Sequence, residues 1–566
     1  MRPASRLVVP GYALALTLLV CGPLLAPGYL LLRDAVSTPR SFLSDAALGL
    51  TEAAPRAVPQ DAAVAWASTL SDGGVVVKAL LMLGVWLGGW GAARLAALVL
   101  PAASRAGELA AATVAIWNPY VAERLLQGHW SLLVGYGALP WVAIAVLRLR
   151  AGGPALPSGC LLVSFIALAG LTPTGVLLAA AVALAATAAP GDGQPRLRCA
   201  AGAVAAAAVT AAPWLSAALL GSSLAAHPAS GIAEFAARAE PGLATIGSLA
   251  GLGGIWNADA VPGTRTTAYA LVGTVLLLAV VGCGLPRLWR ERAARPLLLL
   301  AGVAVVAPAL LATGPGRTAL EAVVRALPGL GMLRDGQKWV ALAMPGYALA
   351  AAAATLVLRR RLRPAGAALA CCVLPIVALP DLAWGVGGAV APVRYPAGWS
   401  AVAAQINADP RPVLTVPVDS MRVFAWAGPA PVLDPLPRWL RADVRGSGDL
   451  LIAGRVVEGE GRDGRRLQRL LLDGAPPDAL AEAGIGWIVV ERGTPGETGR
   501  AAETLRRLPQ VYGDGDIALY RVGGYASGVS PSKRQVLIAA HLAWLALLAG
   551  GALGYAVARR RVTPGR

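Results

Sequence analysis

The chain has 566 residues, of which 56% are hydrophobic and 14% are charged. Its mean hydropathy of +0.62 excludes an ordinary soluble enzyme, because many apolar runs approach the length of about 20 residues that crosses a bilayer. The formal net charge of +18 does not predict nucleic acid as a partner, since the excess arginines lie in short connectors where anionic lipid head groups attract them. The composition predicts an α-helical polytopic membrane protein in contact with membrane lipids.

The six cysteines and three histidines form no recognisable chemical site in the sequence. All six cysteines lie in or at the edge of apolar runs, so no disulfide framework is indicated, and no Cys/His spacing is typical of zinc. The sequence contains neither a phosphate-binding glycine loop of the ATPase kind nor a nucleophile elbow. We therefore expect no cofactor, no bound metal and no ATP-driven transport.

Apolar runs predict about twelve membrane-spanning helices, near 7–32, 75–94, 106–118, 131–148, 158–171, 175–190, 199–220, 267–286, 296–313, 338–358, 366–384 and 534–558. The connectors alternate between short arginine-rich segments and longer segments of mixed charge. Short cytoplasmic loops retain Lys and Arg, which predicts a multi-pass plasma-membrane protein with both termini in the cytoplasm. The segments of mixed charge would then lie outside, at 33–74, 221–266, 314–337 and 385–533.

The segment 385–533 differs from the rest in composition, because its acidic and basic residues are nearly balanced. It is long enough for a domain, and we expect an extracytoplasmic α/β domain. Short apolar runs predict strands and intervening segments predict helices, the strands at 413–418, 486–491 and 517–522 and the helices at 399–408, 477–483 and 501–508. The chain thus divides into a multi-span domain (1–384), this domain, and a last membrane helix with a basic cytoplasmic tail (534–566).

Arg33 and Asp34 directly follow the first predicted span. A charge in the centre of a membrane helix costs about 2.5–3.5 kcal/mol, so a charge retained near the membrane often marks a functional site. A carboxylate held at the membrane surface can act as a general base toward a hydroxyl, which makes Asp34 a candidate catalytic residue. The alternative is an interfacial charge that ends a helix.

A second polar cluster lies in the sequence NPYVAERLLQGHW at 118–130. Glu123, Arg124 and Gln127 are spaced so that a helix places them on one face. This face is a candidate for binding a sugar or a phosphate. The alternative is that Glu123 and Arg124 neutralise each other or other charges of the loop. We interpret His129 as an interfacial anchor and not as a base.

Arg334, Asp335 and Lys338 lie where the tenth predicted span begins. The N-terminus of a helix favours anions, a guanidinium grips a phosphate through two hydrogen bonds, and an ammonium supplies a point charge. These residues are therefore candidates for binding a lipid-linked phosphate. The alternative is an interfacial anchor in which Asp335 pairs with Lys338. The stretch GLGGIWNAD at 251–259 either lines a lipid groove or packs against the bundle.

Several motifs occur in an order that resembles a known group of proteins. They are an apolar span that ends in Arg33-Asp34, NPYVAERLLQGHW, LTPTG at 171–175, GLGGIWNAD, LRDGQKW at 333–339, and LDPLPRW at 433–439 in a late α/β domain. This layout resembles actinobacterial multi-span proteins, which are similar in turn to glycosyltransferases of the GT-C type, including the arabinofuranosyltransferases of cell-wall assembly. The resemblance covers nearly the whole chain.

The resemblance implies a transferase that uses a polyprenyl-phosphate-linked sugar on the outer face of the membrane. The key acidic residue of GT-C enzymes usually follows the first span, and Asp34 matches that position. Asp34 would deprotonate a hydroxyl of a cell-envelope glycan, while Arg124, Arg334 and Lys338 would stabilise the departing phosphate. The α/β domain would hold the glycan. Many members have two adjacent acidic residues at this position, whereas Ala35 follows Asp34 here.

A second kind of function is compatible with the same layout. A lipid-linked saccharide transporter or a glycan-binding assembly partner would use such a scaffold without catalysis, because a fold does not imply a function. A transporter more often shows an internal repeat and ionisable groups near the middle of the membrane, and neither is clear in this sequence. The enzyme hypothesis requires that Asp34, Arg334 and Lys338 converge on one site.

Overall fold

The computed structural model describes residues 4–52, 55–221, 231–452, 454–526 and 528–562. Residues 222–230, within the predicted loop 221–266, lie outside these ranges. Most of the described chain is helical. The α-helices are α1 (Ala4–Cys21), α2 (Asp45–Leu48), α3 (Gln60–Ala67), α4 (Gly73–Val99), α5 (Ser104–Ile116), α6 (Pro119–Leu126), α7 (Trp130–Arg150), α8 (Ala155–Ala169), α9 (Pro173–Thr187), α10 (Arg196–Leu220), α11 (Thr245–Ala250), α12 (Tyr269–Leu288), α13 (Arg295–Leu311), α14 (Gly314–Ala326), α15 (Met344–Leu358), α16 (Pro364–Ala378), α17 (Ala383–Gly387), α18 (Ala397–Ala408), α19 (Leu436–Trp439), α20 (Arg462–Leu472), α21 (Pro477–Glu482), α22 (Ala501–Leu505) and α23 (Pro531–Val562).

The chain is a multi-pass membrane protein. Within the described residues, seven helices are long and apolar enough to cross a membrane: Leu7–Leu25, Gly73–Val99, Trp130–Arg150, Arg196–Leu220, Tyr269–Leu288, Gly336–Leu358 and Pro531–Arg561. Two sharply bent helix pairs, Arg295–Leu311 with Gly314–Ala326 and Pro364–Ala378 with Pro380–Gly387, raise the number to nine if each pair is one span.

The twelve predicted spans therefore exceed the number of full-length membrane helices in the described residues. The predicted span 106–118 corresponds to α5, which has 13 residues, and the predicted spans 158–171 and 175–190 correspond to α8 and α9, which have 15 residues each. At ~1.5 Å per residue such a helix extends about 22 Å, which is less than the ~30 Å of the hydrocarbon core. Apolar composition alone did not separate these shorter helices from complete spans.

Two helices form the centre of the bundle. In the most apolar stretch of each of the spans Trp130–Arg150 and Gly336–Leu358, 94% of the residues are buried, whereas the corresponding share in Pro531–Arg561 is 22%. The first is α7, and the second begins as a 3-10 helix and continues into α15. His129 directly precedes the first central helix and Asp335 directly precedes the second, so two of the predicted polar clusters lie where the most buried helices begin.

A small α/β region follows the bundle in the sequence. The strands of the described chain are β1 (Leu31–Leu32), β2 (Ala35–Val36), β3 (Val413–Val416), β4 (Met421–Arg422), β5 (Val432–Leu433), β6 (Leu450–Ile452), β7 (Arg455–Val457), β8 (Trp487–Glu491), β9 (Gln510–Gly513) and β10 (Ile517–Arg521). One sheet has the order β3-β8-β10-β9, with β3 parallel to β8 and the other pairs antiparallel.

Helices cover this sheet on both faces. Leu414 and Ile488 pack with residues of α20 and α21, whereas Val413 and Val489 pack with Trp399 of α18. Successive residues of a strand point to opposite faces of the sheet. Because both faces are covered by helices, the residues that point to either face are apolar. The three predicted strands and three predicted helices of this segment are confirmed, with shifts of a few residues at their ends.

A two-residue turn between β1 and β2 carries Arg33 and Asp34. The turn is attached to the α/β region through its backbone. Arg33 N–H donates to Pro431 O at 2.8 Å, and Leu433 N–H donates to Arg33 O at 2.9 Å. The position of Asp34 therefore depends on the α/β region as well as on the membrane bundle.

The packing around α15 can be tested at two glycines of α12. A Cβ on Gly284 would meet the carbonyl oxygen of Ala350 in α15, whereas a Cβ on Gly282 would find no described atom within 4 Å. We expect Gly284→Ala to destabilise the bundle by about 1–3 kcal/mol and Gly282→Ala to leave it unchanged. Thermal unfolding in detergent measures the difference, and equal midpoints for the two variants would contradict the close helix contact.

Candidate functional site

Four segments that are far apart in the sequence meet at one place in the structure. They are the β1–β2 turn, the segment from α6 to the start of α7 (123–129), the loop 251–259, and the segment 334–338 at the start of the second central helix. Every candidate residue of the sequence analysis lies in one of them. Hydrogen bonds between side chains connect the four segments, and they place Asp34 beside the other predicted clusters.

The turn that carries Asp34 has an unusual backbone. Arg33 has a φ of +49°, a conformation that costs a non-glycine residue free energy and is retained only where the surroundings enforce it. The buried Arg33 guanidinium donates to the carbonyl oxygens of Leu126, at 2.7 Å, and Asp259. Asp34 N–H donates to Gln127 O at 3.1 Å. These contacts fix the turn against two other segments of the site.

Asp34 is accessible, with a side chain that is 38% exposed. Its Oδ2 accepts hydrogen bonds from Gln127 Nε2 at 3.1 Å and from His129 Nε2 at 2.8 Å. Within the described part of the chain no hydrogen bond reaches Oδ1, which leaves that oxygen for a ligand. Burial acts to raise the pKa of Asp34, but the hydrogen bonds from His129 and Gln127 and the charge of Lys338 outweigh it, so the pKa lies below its ordinary value.

Arg124 is the centre of the hydrogen-bond network and is fully buried. Its guanidinium donates to both carboxylate oxygens of Asp335, at 3.0 and 3.1 Å, to Gln337 Oε1, and to His129 Nδ1 at 3.0 Å. A buried charge is stable only when it is paired and hydrogen-bonded, and these contacts meet that requirement. Burial acts to raise the pKa of Asp335, but Arg124 and then Lys338 hold it well below its ordinary value.

Glu123 is buried and fixes the glycine-rich loop 251–259. Its carboxyl oxygens accept the backbone N–H groups of Gly254 and Ile255, both at 3.1 Å, and Oε2 also accepts Gln337 Nε2 at 2.9 Å. Burial, and then the charge of Glu240, raises the pKa of Glu123 well above its ordinary value. The position of Glu123 is therefore that of a support for the loop.

The loop 251–259 reaches Asp34 through Gln127. Gln127 Oε1 accepts Asn257 Nδ2 at 2.8 Å, while its Nε2 donates to Asp34. Behind the loop, Arg265 donates to both carboxylate oxygens of Glu240 and forms a second buried ion pair. The loop thus packs against the bundle, as one of the two interpretations of its sequence predicted, and it also contacts the site.

Basic side chains are concentrated at the more exposed part of the site. Lys338 is 25% exposed and its Nζ lies 3.5 Å from Asp335 Oδ2, so the predicted Asp335–Lys338 pair is present. The Arg334 guanidinium lies 4.6 Å from the centre of the Phe235 ring, a cation–π contact. Burial and the positive charge of Arg56 lower the pKa of Arg334 to about 10, which leaves Arg334 charged at neutral pH.

Three residues whose side chains are hydrogen-bonded to the candidate residues were not themselves candidates: His129, Gln337 and Asn257. A local signal for His129 exists, because Gly128 follows α6 with a φ of +81° and His129 N–H donates to Arg124 O at 2.9 Å. This pattern is the Schellman motif that ends many helices at glycine. It brings His129 back beside the last turn of α6, where it contacts Arg124 instead of serving only as an interfacial anchor.

The comparisons with known proteins concern the fold. No protein-family model matches the chain, and no curated protein matches it significantly. Among solved structures, the chain is similar to a mutant of the arabinofuranosyltransferase AftD from Mycobacteria, determined by single-particle cryo-EM, with a TM-score of 0.54 and 19% sequence identity. The match covers 93% of this chain but 42% of the AftD chain, so the chain spans less than half of that protein. The similarity shows a GT-C-like fold.

Breaking the buried Arg124–Asp335 pair should cost far more stability than breaking an exposed pair. Removing one partner of a buried pair costs about 3–5 kcal/mol when the other charge loses its counter-ion, and without Arg124 the buried Asp335 would keep, among the described residues, only the longer contact to Lys338, at 3.5 Å. An exposed pair contributes about 0–1 kcal/mol. We expect Arg124→Met to lower the thermal-unfolding midpoint strongly. Arg325→Met, which removes the exposed Arg325–Glu321 pair, is the control and should hardly change it. Similar shifts in both variants would contradict the central position of Arg124.

Proposed function

We propose that this protein is a GT-C-like glycosyltransferase that transfers a sugar from a polyprenyl-phosphate donor to a cell-envelope glycan on the outer face of the membrane. The similarity of its fold to an arabinofuranosyltransferase supports the general class. The observation that carries the proposal is Asp34, an accessible carboxylate with a lowered pKa that is held in place by Gln127 and His129. Basic side chains suited to a phosphate lie in the neighbouring segment.

In the proposed reaction Asp34 is the general base. Its Oδ1 takes the proton from a hydroxyl of the acceptor glycan, and the oxygen of that hydroxyl forms a bond to the anomeric carbon of the donor sugar. The bond from this carbon to the phosphate oxygen breaks, and its electron pair leaves with the polyprenyl phosphate. A low pKa keeps Asp34 ionised but makes it a weak base, so the reaction relies on orientation and on stabilisation of the departing phosphate.

We assign stabilisation of the phosphate to Lys338 and Arg334. Lys338 is partly exposed, and its positive charge contributes to the lowered pKa of Asp34. This supports a phosphate position close to the base. A fixed positive charge next to developing negative charge is worth more in a site that excludes water. Asp34 would then contact the acceptor hydroxyl on one side of the anomeric carbon, and the basic side chains would contact the phosphate on the other side.

The other four predicted residues take supporting roles in the proposal. Glu123, Arg124 and Asp335 are buried and engaged with one another or with the backbone, and Gln127 orients Asp34. In the sequence analysis these residues were candidates for binding substrate. Their burial favours a role in holding the exposed residues in place, because a ligand would have to displace existing hydrogen bonds to reach them.

We also propose that the site faces the outside of the cell. The β1–β2 turn is hydrogen-bonded to the α/β region, so the site and this region lie on the same side of the bundle. The first central helix begins at the site and ends with Arg148 and Arg150. Because short arginine-rich connectors are retained in the cytoplasm, the opposite end of this helix, with Asp34 nearby, would be extracytoplasmic.

The second candidate function is a glycan-binding or lipid-saccharide-transporting protein without catalysis. The observation that favours it is the single carboxylate of the turn, since Ala35 follows Asp34. The next acidic residue of the same loop, Asp45, lies 3.6 Å from Arg534 in α23 and is not part of the network around Asp34. A protein can lose catalytic activity and keep its fold. The two candidate functions are therefore distinguished by a measurement of activity and not by the fold.

Substitution of Asp34 tests the choice between the two. We expect Asp34→Asn to reduce transfer of arabinofuranose from its polyprenyl-phosphate donor to an arabinan acceptor by about 10²–10⁴-fold, the usual contribution of a general base. Asp45→Asn is the matched control and should retain activity, because Asp45 pairs with Arg534. Both variants should still bind polyprenyl phosphate. Full activity of folded Asp34→Asn would remove Asp34 as the base, and lipid binding without transfer in the native protein would favour the second candidate.

The pH dependence of transfer should report the lowered pKa of Asp34. Because the base is active only when ionised, kcat/KM should fall only below the ordinary aspartate pKa of about 3.9 and remain level from about pH 5 to 7. Lys338→Met removes a positive charge that lowers the pKa of Asp34, so the acid limb of the profile should move to higher pH. Arg325→Met should leave the limb in place. An unmoved limb in Lys338→Met would contradict the contribution of Lys338 to the lowered pKa of Asp34.

A further inference from the structure

We propose that His129 is a positioning residue, a neutral imidazole locked by Arg124 in the tautomer that carries its proton on Nε2, and that it fixes the orientation of the Asp34 carboxylate. Its catalytic consequence rests on the proposed transferase function, whereas its tautomer and protonation state do not. The two can therefore be tested separately.

The tautomer follows from the chemistry of the two partners of the ring. A guanidinium has only N–H donors and cannot accept a hydrogen bond. Because Arg124 Nη1 lies 3.0 Å from His129 Nδ1, Nδ1 must be the acceptor and cannot carry a proton. A neutral imidazole then has its proton on Nε2, and this nitrogen lies 2.8 Å from Asp34 Oδ2, which accepts. Both ring nitrogens are thus used in complementary ways.

The same contact disfavours the charged form of the ring. Protonation of Nδ1 would place an N–H group against the N–H group of Arg124 and two positive charges side by side. The charged groups around the ring are Asp34, Arg124, Asp335 and Lys338. Burial lowers the pKa of His129, and the positive charges of Lys338 and Arg124 add to this lowering against the raising effect of Asp34. The contact with Arg124 and the lowered pKa both favour the neutral imidazole.

Arg124 can set the tautomer because it does not move freely. Its guanidinium is held by both oxygens of Asp335 and by Gln337, at the start of the second central helix. His129 is held at the start of the first central helix, and its backbone N–H bonds Arg124 O. His129 is consequently held both through its ring Nδ1 and through its backbone N–H, and the direction of its Nε2–H is fixed by these two contacts.

The arrangement assigns different tasks to the two oxygens of Asp34. Oδ2 is occupied by the N–H groups of His129 and Gln127, so Oδ1 is the oxygen that meets the acceptor hydroxyl. His129 cannot take over the proton that Asp34 receives, because Nε2 already carries a proton and Nδ1 is occupied by Arg124. In serine hydrolases an aspartate orients a histidine that acts as the base. Here the histidine orients an aspartate that acts as the base.

The tautomer can be measured by ¹⁵N NMR of the full-length protein labelled only at histidine, since the chain has three histidines. His541 provides an internal reference of opposite kind, because its Nδ1 lies 2.7 Å from the carbonyl oxygen of Leu537 and must donate. His227 lies outside the described residues, and its signal is identified with His227→Gln. His129→Gln and His541→Gln identify the other two signals.

We expect His129 to show the Nε2–H pattern and to remain neutral when the pH is lowered through about 6.5, the ordinary histidine pKa. We also expect Arg124→Met, which removes the donor to Nδ1, to restore titration of the ring. An Nδ1–H pattern, or a protonated His129 ring at about pH 6.5 in the native protein, would overturn the proposal. These outcomes do not depend on whether the protein transfers a sugar.

The positioning role is tested by transfer activity in two variants of His129. His129→Phe keeps a ring but removes the hydrogen bond to Asp34, and we expect kcat to fall on the order of 10²-fold, as misplacement of a catalytic group does. The acid limb of its pH profile should move to higher pH, because the bond from His129 lowers the pKa of Asp34.

His129→Gln retains an N–H donor and should recover part of the rate and the original limb. Equal losses in His129→Phe and His129→Gln, with no movement of the limb in either, would overturn the positioning role. Absence of transfer in the native protein, with the expected tautomer present, would instead reject the proposed function.

Discussion

The guanidinium of Arg124 is a full positive charge in the interior of the protein, and its desolvation must be offset by hydrogen-bonded partners. Those partners come from the start of each central helix, His129 on one side and Asp335 with Gln337 on the other. The ends of the two most buried helices are thereby held together at one point. The accessible carboxylate and the basic side chains are arranged around this point.

The exposed and buried parts of the site differ in chemistry. Asp34 and Lys338 are partly exposed, whereas Arg124 and Asp335 are 0% and 5% exposed. Groups of the first kind can exchange water for a ligand, and groups of the second kind hold a fixed geometry because the low-dielectric interior makes each of their hydrogen bonds costly to break. Such a separation between contact and support is typical of a preorganised site.

The sequence predicted local features well and tertiary ones incompletely. The helical face of Glu123 and Arg124 and the three strands of the α/β region followed from spacing and alternation. The pair between Asp335 and Lys338, three residues apart, also followed from the sequence. The partner of Arg124 did not, because Arg124 meets Asp335 across 211 positions of the chain. The bond from His129 to Asp34 was not predicted because the two residues are 95 positions apart in the chain. Three of the twelve predicted spans correspond to α5, α8 and α9, which are shorter than the seven to nine candidate membrane helices of the described residues.

Arg33 contacts two parts of the protein, one through its backbone and the other through its side chain. The backbone N–H and C=O of Arg33 are paired with Pro431 and Leu433 of the α/β region. The Arg33 side chain donates to the carbonyl oxygens of Leu126 and Asp259. Without the α/β region, a residue with positive φ would have both buried backbone groups unsatisfied. The α/β region is thus not an appendage with its own separate task. Its edge at residues 431–433 completes the turn that holds the carboxylate, so a change at this edge would reach Asp34 through the backbone of Arg33.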